Sequence, residues 1–336
     1  MKSIAIFNNK GGVGKTTLLC NLAAYLAKKK NKKILIIDAD PQCNATQNMF
    51  DDNVVNEIYE NNEFTIQSII KPISEGKGFE KRIIPKRTSS FDVDVIVGDP
   101  KIALMEDLLA SDWGDATAGK TRGLRTTFFF AELLSKCKNY DYTIFDMGPS
   151  LGSINRSVLL AADYFVTPMS IDIFSLRAIQ NISTWLFKWR KQLESGIALA
   201  DDISDFKTDI GVNDLSVRLN FAGYVTQQYT AKKNSEGKRR PVKAFDKIMK
   251  NVPEIIKKEF LMKFQNQNNY LDYELGTIPT LHSLIPLSQS SRKPIFSLSA
   301  QDGVVGAHFA KVAEYEVIIA DIASKLLKNI NELSND

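Results

Sequence analysis

The sequence predicts an α/β fold, a doubly wound and mainly parallel sheet of about seven strands with helices on both faces. Short runs rich in β-branched residues alternate with longer segments whose apolar residues recur at helical spacing. The first six predicted strands follow this βα alternation without a break. No linker rich in proline, glycine or serine divides the 336 residues, and a chain of that length can bury a full core. We therefore predict one domain spanning residues 1–336.

The predicted strands are short apolar runs at residues 3–7, 33–37, 93–97, 142–145, 164–167, 220–225 and 274–278. The predicted helices have apolar residues three or four positions apart, which places those residues on one helix face. They cover residues 16–29, 102–109, 124–136, 155–162, 175–192, 244–249, 253–264 and 304–330. Two segments, 193–215 and 229–268, depart from the pattern, and we expect them to be helical and basic insertions.

The net charge is unevenly distributed along the chain. There are 43 lysines and arginines against 39 aspartates and glutamates, a net charge of +4. Residues 228–263, called the basic segment below, contain eleven basic and four acidic residues, so this segment carries +7 and the rest carries −3. One interpretation is a solvated helix face in a lysine-rich protein. The other is a surface for a polyanion such as nucleic acid.

Cysteine usage and hydropathy indicate a cytoplasmic protein. The three cysteines are an odd number without C-x-x-C spacing, which is typical of a reducing compartment and disfavours a zinc site. No apolar run approaches the ~20 residues that span a bilayer. The chain also starts directly with a strand pattern, so we expect no signal peptide.

A glycine-rich loop joins the first predicted strand to the first predicted helix, and its residues 8–17 read N-N-K-G-G-V-G-K-T-T. Glycines let the backbone N–H groups of such a loop turn toward phosphate oxygens, the helix N-terminus adds partial positive charge, and a lysine reaches the outer phosphates. A threonine hydroxyl at the helix start is suited to bind Mg²⁺. The predicted phosphate-binding residues are Lys10, Gly11, Gly12, Val13, Gly14, Lys15, Thr16 and Thr17, with Thr16 also a metal ligand.

One departure from the common P-loop pattern is informative. The pattern G-x-x-x-x-G-K-[ST] begins with glycine, whereas this chain has Asn9 followed by Lys10. Here the sequence resembles the ParA/MinD family of deviant Walker A ATPases, whose K-G-G-x-G-K-[ST] signature residues 10–16 match in full. The resemblance implies a fold of the P-loop NTPase type, ATP and Mg²⁺ as cofactors, ATP hydrolysis, and a homodimer that forms around ATP. It also implies that Lys10 and Lys15 are catalytic, with Lys10 reaching the partner's ATP phosphates much as an arginine finger does.

A pair of carboxylates follows the second predicted strand. Residues 36–46 read I-I-D-A-D-P-Q-C-N-A-T, which resembles the family's D-x-D-P-Q-G-N-A-T stretch. Carboxylates two residues apart at a strand end can point to the same side. The resemblance implies that Asp38 supports the Mg²⁺ region and that Asp40 orients or deprotonates the attacking water. Cys43 replaces the family's usual glycine, so we expect a local difference in the backbone.

A third segment, residues 140–159, reads Y-D-Y-T-I-F-D-M-G-P-S-L-G-S-I-N-R-S-V-L. Asp146, at the end of its apolar strand, takes the position of the family's Walker B carboxylate, which holds Mg²⁺, commonly through water. Gly148 and Gly152 are then expected to allow a switch loop that responds to the γ-phosphate. This chain has Gly148-Pro149 where the family more often has two prolines, and we expect the switch to be retained with a shifted rest position.

The resemblance continues at the level of pattern. Residues 164–170, 221–228 and 277–279 look like later strands of the family, and the last two of these segments line its adenine pocket. The predicted adenine contacts are therefore Gln227, Gln228 and Pro279.

The target of such a switch must be inferred from the rest of the sequence. The D-P-Q-x-N-A-T stretch fits the ParA branch, whose ATP-bound dimer binds DNA non-specifically and releases it when a ParB-like partner stimulates hydrolysis. The basic segment fits this role because clustered cations neutralise phosphates. The resemblance thus predicts a DNA-partitioning ATPase that associates with the nucleoid. The predicted DNA contacts are Lys238, Arg239, Arg240, Lys257, Lys258, Arg292 and Lys293.

Two alternatives stay open. A MinD-like switch that acts on a membrane or a protein scaffold needs a basic amphipathic helix. This chain ends N-E-L-S-N-D, an acidic end that repels anionic lipid, so we do not expect membrane binding. The other alternative is an iron protein of the nitrogenase type or a ligase of the same fold. An iron protein needs cysteines at a cluster shared between subunits, whereas Cys20 and Cys137 are expected to be packed thiols.

Overall fold

The computed structural model describes residues 1–201, 203–212, 214–229, 231–233, 239–241, 243–264 and 271–335. The strands within these ranges are β1 Lys2–Ile6, β2 Ile34–Asp38, β3 Lys86–Thr88, β4 Val93–Ile96, β5 Tyr142–Asp146, β6 Tyr164–Ser170, β7 Asn220–Tyr229, β8 Ala231–Lys233, β9 Arg239–Pro241 and β10 Glu274–Pro279. Eight of them form one sheet in the order β10-β7-β6-β1-β5-β2-β4-β3, and β8 pairs with β9. Every pair in the large sheet is parallel except β3–β4.

All seven predicted strands are confirmed, and β6 and β7 extend beyond their predicted ends. The eighth strand of the sheet, β3, is a three-residue edge strand, which is too short for a hydrophobic period to reveal.

Helices cover both faces of this sheet. Their bounds are α1 Lys15–Lys30, α2 Asn44–Met49, α3 Asp52–Glu60, α4 Ile66–Ser74, α5 Met105–Thr117, α6 Thr121–Thr127, α7 Phe129–Ser135, α8 Ser153–Ala161, α9 Ile173–Leu199, α10 Ile203–Ile210, α11 Lys243–Ile256, α12 Leu284–Ser291 and α13 His308–Asn335. A π-helical turn, Lys257–Met262, continues α11.

Two hydrophobic cores lie on the two faces. Successive side chains of a strand point to opposite faces, so Ile144 of β5 belongs to the core under α1 and α13, whereas Phe145 belongs to the core under α5, α8 and α9. A sheet that is covered by helices on both faces requires strands that are buried along their whole length. β2 is an example, since all five of its residues are buried. The doubly wound architecture is therefore confirmed.

Two parts of the chain are divided into helices differently from the prediction. The predicted helix 124–136 is split at Phe128 into α6 and α7, because Phe128, Phe129 and Phe130 are all buried and a single straight helix would direct them to different sides. The predicted helices 244–249 and 253–264 are one continuous segment. Pro253 removes one helical hydrogen bond, but Val252 and Ile256 bury an apolar stripe that keeps the segment helical.

The two expected insertions stay predictions, and the structure describes part of each. Segment 193–215 begins inside α9 and includes α10, whose Phe206 meets Phe128 with ring centroids 5.9 Å apart. Both aromatic rings are buried, so this segment contributes to the core. In segment 229–268, residues 230, 234–238, 242 and 265–268 lie outside the described ranges.

Candidate active site

The candidate site residues meet at the carboxyl edge of the sheet. β1, β5 and β2 are adjacent and parallel, and Asp38, the last residue of β2, is in register with Asp146, the last residue of β5. The glycine-rich loop follows β1 in the middle of this edge. Carboxyl ends of parallel strands are where open α/β sheets bind ligands.

The loop has the backbone of a phosphate cradle. Gly12 and Gly14 have φ angles of 70° and 74°, a conformation that favours glycine. A Cβ atom built on Gly11 or Gly12 would meet nothing within 4 Å, so the space above the loop is open. The first turn of α1 has no side-chain cap, which leaves its N–H groups free to bind an anion.

A buried asparagine holds the start of the loop. The Asn8 amide donates to the carbonyl oxygen of Pro168 at 2.8 Å, and its side-chain oxygen accepts from the Lys10 N–H at 2.9 Å. The Lys15 ammonium donates to the Lys10 carbonyl at 3.1 Å. Burial lowers the pKa of Lys15, while Asp146 and Asp40 oppose that shift. Asn8 was missed by sequence reasoning, although it lies inside the quoted loop.

Two fully buried carboxylates stand beside the loop. The Thr16 hydroxyl donates to Asp146 Oδ2 at 2.9 Å. Asp38 Oδ2 accepts from the backbone N–H and the hydroxyl of Thr46, at 2.8 and 2.7 Å. Burial, with the charge of Asp38 as the next cause, raises the pKa of Asp146 well above its usual range, and burial likewise raises the pKa of Asp38. Two buried carboxylates that are both charged destabilise the folded protein unless a cation lies between or near them.

This arrangement fits Mg²⁺ held jointly with a nucleotide. Asp38 Oδ1 is buried and has no hydrogen-bond partner, and the Thr16 hydroxyl lies next to Asp146. Among the described residues, no three His, Cys, Asp or Glu side chains form a metal site by themselves. Mg²⁺ is typically bound by one or two carboxylates together with phosphate and water. Thr16, Asp38 and Asp146 are thus suited to supply only the protein's share of the ligands.

Asp40 follows β2 and lies near the carboxylates of Asp38 and Asp146. Its carboxylate accepts from the Gln42 N–H at 3.0 Å and from the Asn44 amide at 3.4 Å, and its side chain is buried. A Cβ atom on Gly148 would come within 3.1 Å of Asp40 Oδ1, so the switch loop passes directly over this carboxylate. A carboxylate in this position can accept a proton from a water molecule at the γ-phosphate.

Lys10 makes its contacts within the same chain. Its ammonium donates to the Ser170 hydroxyl at 2.9 Å and forms an ion pair with Asp172, the N-cap of α9. One third of the Lys10 side chain is exposed, at 33%. The predicted contact with a partner's ATP stays a prediction, and it requires this ion pair to open.

One predicted adenine contact touches the phosphate loop. The Gln227 amide donates to the Gly14 carbonyl at 3.2 Å, and a Cβ atom on Gly14 would collide with the Gln227 side chain. Pro279 ends β10, the neighbour of β7, and is half-buried. The Gln228 side chain lies outside what the structure describes. The adenine roles of these residues stay predictions.

Cys43 adopts a left-handed conformation, with φ of 52°, at the N-cap of α2. Glycine adopts this conformation more readily than cysteine does. Burial raises the pKa of the Cys43 and Cys137 thiols to about 12. Cys20, Cys43 and Cys137 are all buried free thiols, and for Cys20 and Cys137 this agrees with the expectation of packed thiols.

The predicted DNA contacts do not share one face. Lys257 and Lys258 are exposed on the π-helical turn, which packs against α9. Arg292 and Lys293 follow α12 on the opposite side of the sheet, where they form ion pairs with Asp52 and Asp302 at 2.7 Å. Lys238 and the side chains of Arg239 and Arg240 lie outside the described part. All seven stay predictions, and only the first pair is both exposed and without an ion-pair partner among the described residues.

None of the helices in the described ranges has the length and apolar character needed to cross a bilayer.

A phosphate loop between β1 and α1, with carboxylates at the ends of β2 and β5, defines a P-loop ATPase. Residues 1–199 match the model of a family described as an AAA domain, AAA_31. Because this match covers more than half of the chain, the protein belongs to that family, and it is a P-loop ATPase of the ParA/MinD type.

Individual relatives agree with this placement. A virulence plasmid ParA family protein of Chlamydia psittaci is 31% identical over 54% of this chain and 62% of its own length. The sporulation initiation inhibitor protein Soj of Bacillus subtilis is 29% identical over 63% of this chain and 76% of its own length. Among solved structures, protein DIP2308 of Corynebacterium diphtheriae is 37% identical with a TM-score of 0.61, over 67% of this chain and 82% of its own.

Proposed function

We propose that the protein is an ATP-driven switch that binds and hydrolyses ATP with Mg²⁺, dimerises around ATP, and partitions DNA by non-specific DNA binding with a stimulating, ParB-like partner. The observation that carries the proposal is the presence of two cations in one phosphate loop. Lys15 is buried and serves the chain's own nucleotide, whereas Lys10 is one third exposed and reaches a second copy once its ion pair with Asp172 opens. A protein of this kind acts in the cytoplasm, on nucleoid DNA.

Each of the site's side chains has a separate role in the proposed hydrolysis. Lys15 and the loop N–H groups bind the phosphates. Thr16 and Asp146 would hold Mg²⁺, and the bound ion would neutralise developing charge on the phosphates. The buried, unpaired oxygen of Asp38 would support the Mg²⁺ region. Asp40 accepts the proton of the attacking water. Lys10 from the partner stabilises the transferring phosphoryl group once its ion pair with Asp172 has opened.

An exposed basic face supports the DNA-binding part of the proposal. We define it as Arg177, Lys188 and Lys191 of α9 together with Lys257 and Lys258 of the π-helical turn, all exposed. The two elements are joined by a hydrogen bond from the Ser183 hydroxyl to the Glu259 carbonyl at 2.7 Å. Clustered, exposed cations neutralise phosphates without reading bases.

Fluorescence anisotropy with random-sequence duplex DNA tests this part, with ATP present and at several salt concentrations. Each phosphate contact contributes about 0.9 to the slope of log affinity against log salt, so Lys257→Ala/Lys258→Ala is expected to reduce that slope by about 2. Arg292→Ala/Lys293→Ala removes the same charge at two further predicted contacts on the opposite side of the sheet, where both cations are already ion-paired, so we expect a smaller change in the slope.

Three results would contradict the proposal. In the first, the wild type fails to bind DNA at low salt with ATP. In the second, neither double variant weakens binding. In the third, the protein floats with anionic liposomes instead of binding DNA. The last result would favour the MinD-like alternative.

A further inference from the structure

The helix after the switch loop is capped by a residue from a different helix. α8 begins at Ser153, and its N-cap, Gly152, has no side chain to satisfy the first N–H groups. The carboxylate of Glu106, in the first turn of α5, supplies this cap: one oxygen accepts from the Ser153 N–H and the other accepts from the Ile154 N–H at 3.1 Å. A carboxylate at a helix N-terminus is also favoured by the helix dipole.

The lack of a side chain at Gly152 leaves room for the Glu106 carboxylate, whereas the φ angle of Gly152 is ordinary. Its backbone is extended, with φ of −79° and ψ of −178°, which any residue adopts. A Cβ atom at this position would collide with Glu106 Oε1. Glu106 and Gly152 therefore form a matched pair, 46 positions apart in the sequence.

The cap is connected to the candidate catalytic carboxylate through the switch loop. Asn155, in the first turn of α8, donates from its amide to the Gly148 carbonyl at 2.9 Å and to the Ser150 carbonyl at 2.7 Å. Gly148 in turn passes over Asp40. Fixing the first turn of α8 thus fixes Asn155, and Asn155 fixes the loop above Asp40.

A second contact keeps α8 in register with α5. The Arg156 guanidinium lies over the ring of Trp113 at 4.1 Å from its centroid and donates to the Leu109 carbonyl at 3.0 Å. The first turn of α8 is therefore attached to α5 on two sides, by Glu106 at its N–H groups and by Arg156 at its side-chain face.

From this geometry we propose that Glu106 is a positioning residue for ATP hydrolysis. It acts by holding the switch loop at the distance from Asp40 that the attacking water requires. Glu106 touches neither the phosphate loop nor Asp40, so its loss leaves nucleotide binding intact and slows turnover. This inference rests on the ATP hydrolysis and the role of Asp40 proposed above.

The test compares steady-state ATP turnover with affinity for a fluorescent ATP analogue in Glu106→Ala, Glu106→Gln and the control Asp107→Asn. Asp107 is the adjacent, exposed carboxylate of the same helix. Misplacement of a reacting group without loss of binding lowers kcat, so we expect Glu106→Ala to reduce kcat about 10-fold or more with less than about a 2-fold change in affinity. Glu106→Gln keeps one acceptor oxygen and is expected to fall in between, and Asp107→Asn is expected to match the wild type.

A double-mutant cycle tests the mechanism itself. Gly152→Ala is expected to lower kcat as Glu106→Ala does, because it displaces the same carboxylate. The variant that carries both changes is expected to be no slower than Glu106→Ala alone. Without the Glu106 carboxylate, the new Cβ atom at position 152 no longer displaces it. Thermal melting confirms that each variant is folded, and if Glu106→Ala does not fold, Glu106→Gln and Gly152→Ala still decide the question.

The inference would be overturned if kcat is unchanged in Glu106→Gln and Gly152→Ala, or if Asp107→Asn lowers kcat as much as Glu106→Ala does. Additive losses of kcat in the double-mutant cycle would also overturn it. A wild type without any ATP turnover would instead contradict the proposed hydrolysis itself. Failure of DNA binding would leave these turnover measurements unaffected.

Discussion

Replacement of Thr46 by valine isolates one hydrogen-bonded link of the site. The Thr46 hydroxyl donates to Asp38 Oδ2 at 2.7 Å and accepts from the Gly98 N–H at 2.9 Å, and the side chain is fully buried. Valine has the same shape, so Thr46→Val leaves no cavity. It removes a hydrogen bond to a carboxylate and leaves the Gly98 N–H unsatisfied.

The size of the effect follows from these two losses. A hydrogen bond to a charged group contributes about 1.5–3 kcal/mol and an unsatisfied buried donor costs about 1–3 kcal/mol, so we take a total of about 3 kcal/mol. With about 2.1 cal/mol/K of unfolding entropy per residue, the 336 residues amount to about 0.7 kcal/mol/K. Thr46→Val is therefore expected to lower Tm by about 4 °C.

Differential scanning calorimetry without nucleotide measures this shift, and Thr46→Ser is the matched control. Serine keeps the hydroxyl and loses one methyl group, which costs about 1 kcal/mol and lowers Tm by only about 1–2 °C. The reasoning is refuted if valine melts within 1 °C of the wild type, or if serine is as damaging as valine.

Three further predictions concern Asp40, Lys10 and Asp146. Asp40→Ala is expected to bind ATP and to elute from gel filtration as a dimer while hydrolysing ATP about 10²-fold more slowly, because the general base is gone; a variant that stays monomeric with ATP would contradict the proposed dimer. Lys10→Ala is expected to bind ATP normally and to lose turnover, and unchanged turnover would exclude its role in the partner's site. Asp146→Asn is expected to raise Tm at pH 7.5 in EDTA. Because the folded pKa of Asp146 is raised, the wild type gains stability at low pH and loses it as pH rises through that pKa, so the advantage of the variant shrinks toward pH 4. An equal advantage at both pH values would show that removal of charge is not the cause.

The strands and the phosphate loop were predictable from the sequence because both depend on local order. A parallel sheet covered on two faces requires continuous apolar runs, and the loop requires glycine and lysine at fixed offsets. Asp38 and Asp146 were also predictable, since each directly ends an apolar strand and the carboxyl ends of parallel strands share one edge.

Other features of the site left no local signal. Asp172 pairs with Lys10, 162 residues away, and Glu106 caps α8 from 47 residues upstream. Neither residue belongs to a motif, and each has its partner only because the fold brings two elements together. The break at Phe128 and the continuous helix through Pro253 likewise depended on which faces were buried.

By itself, the sequence determined the class of fold, the phosphate loop with its second lysine, and the three carboxylates at the strand ends. These depend on hydrophobic period and on spacing within about ten residues, which the chain carries in its order. Only the tertiary structure decided which cations are exposed and which are already paired, where Lys10 rests, and what holds the switch loop above Asp40. Burial and ion pairing join residues far apart in the chain, so they exist only once the sheet and its helices have assembled.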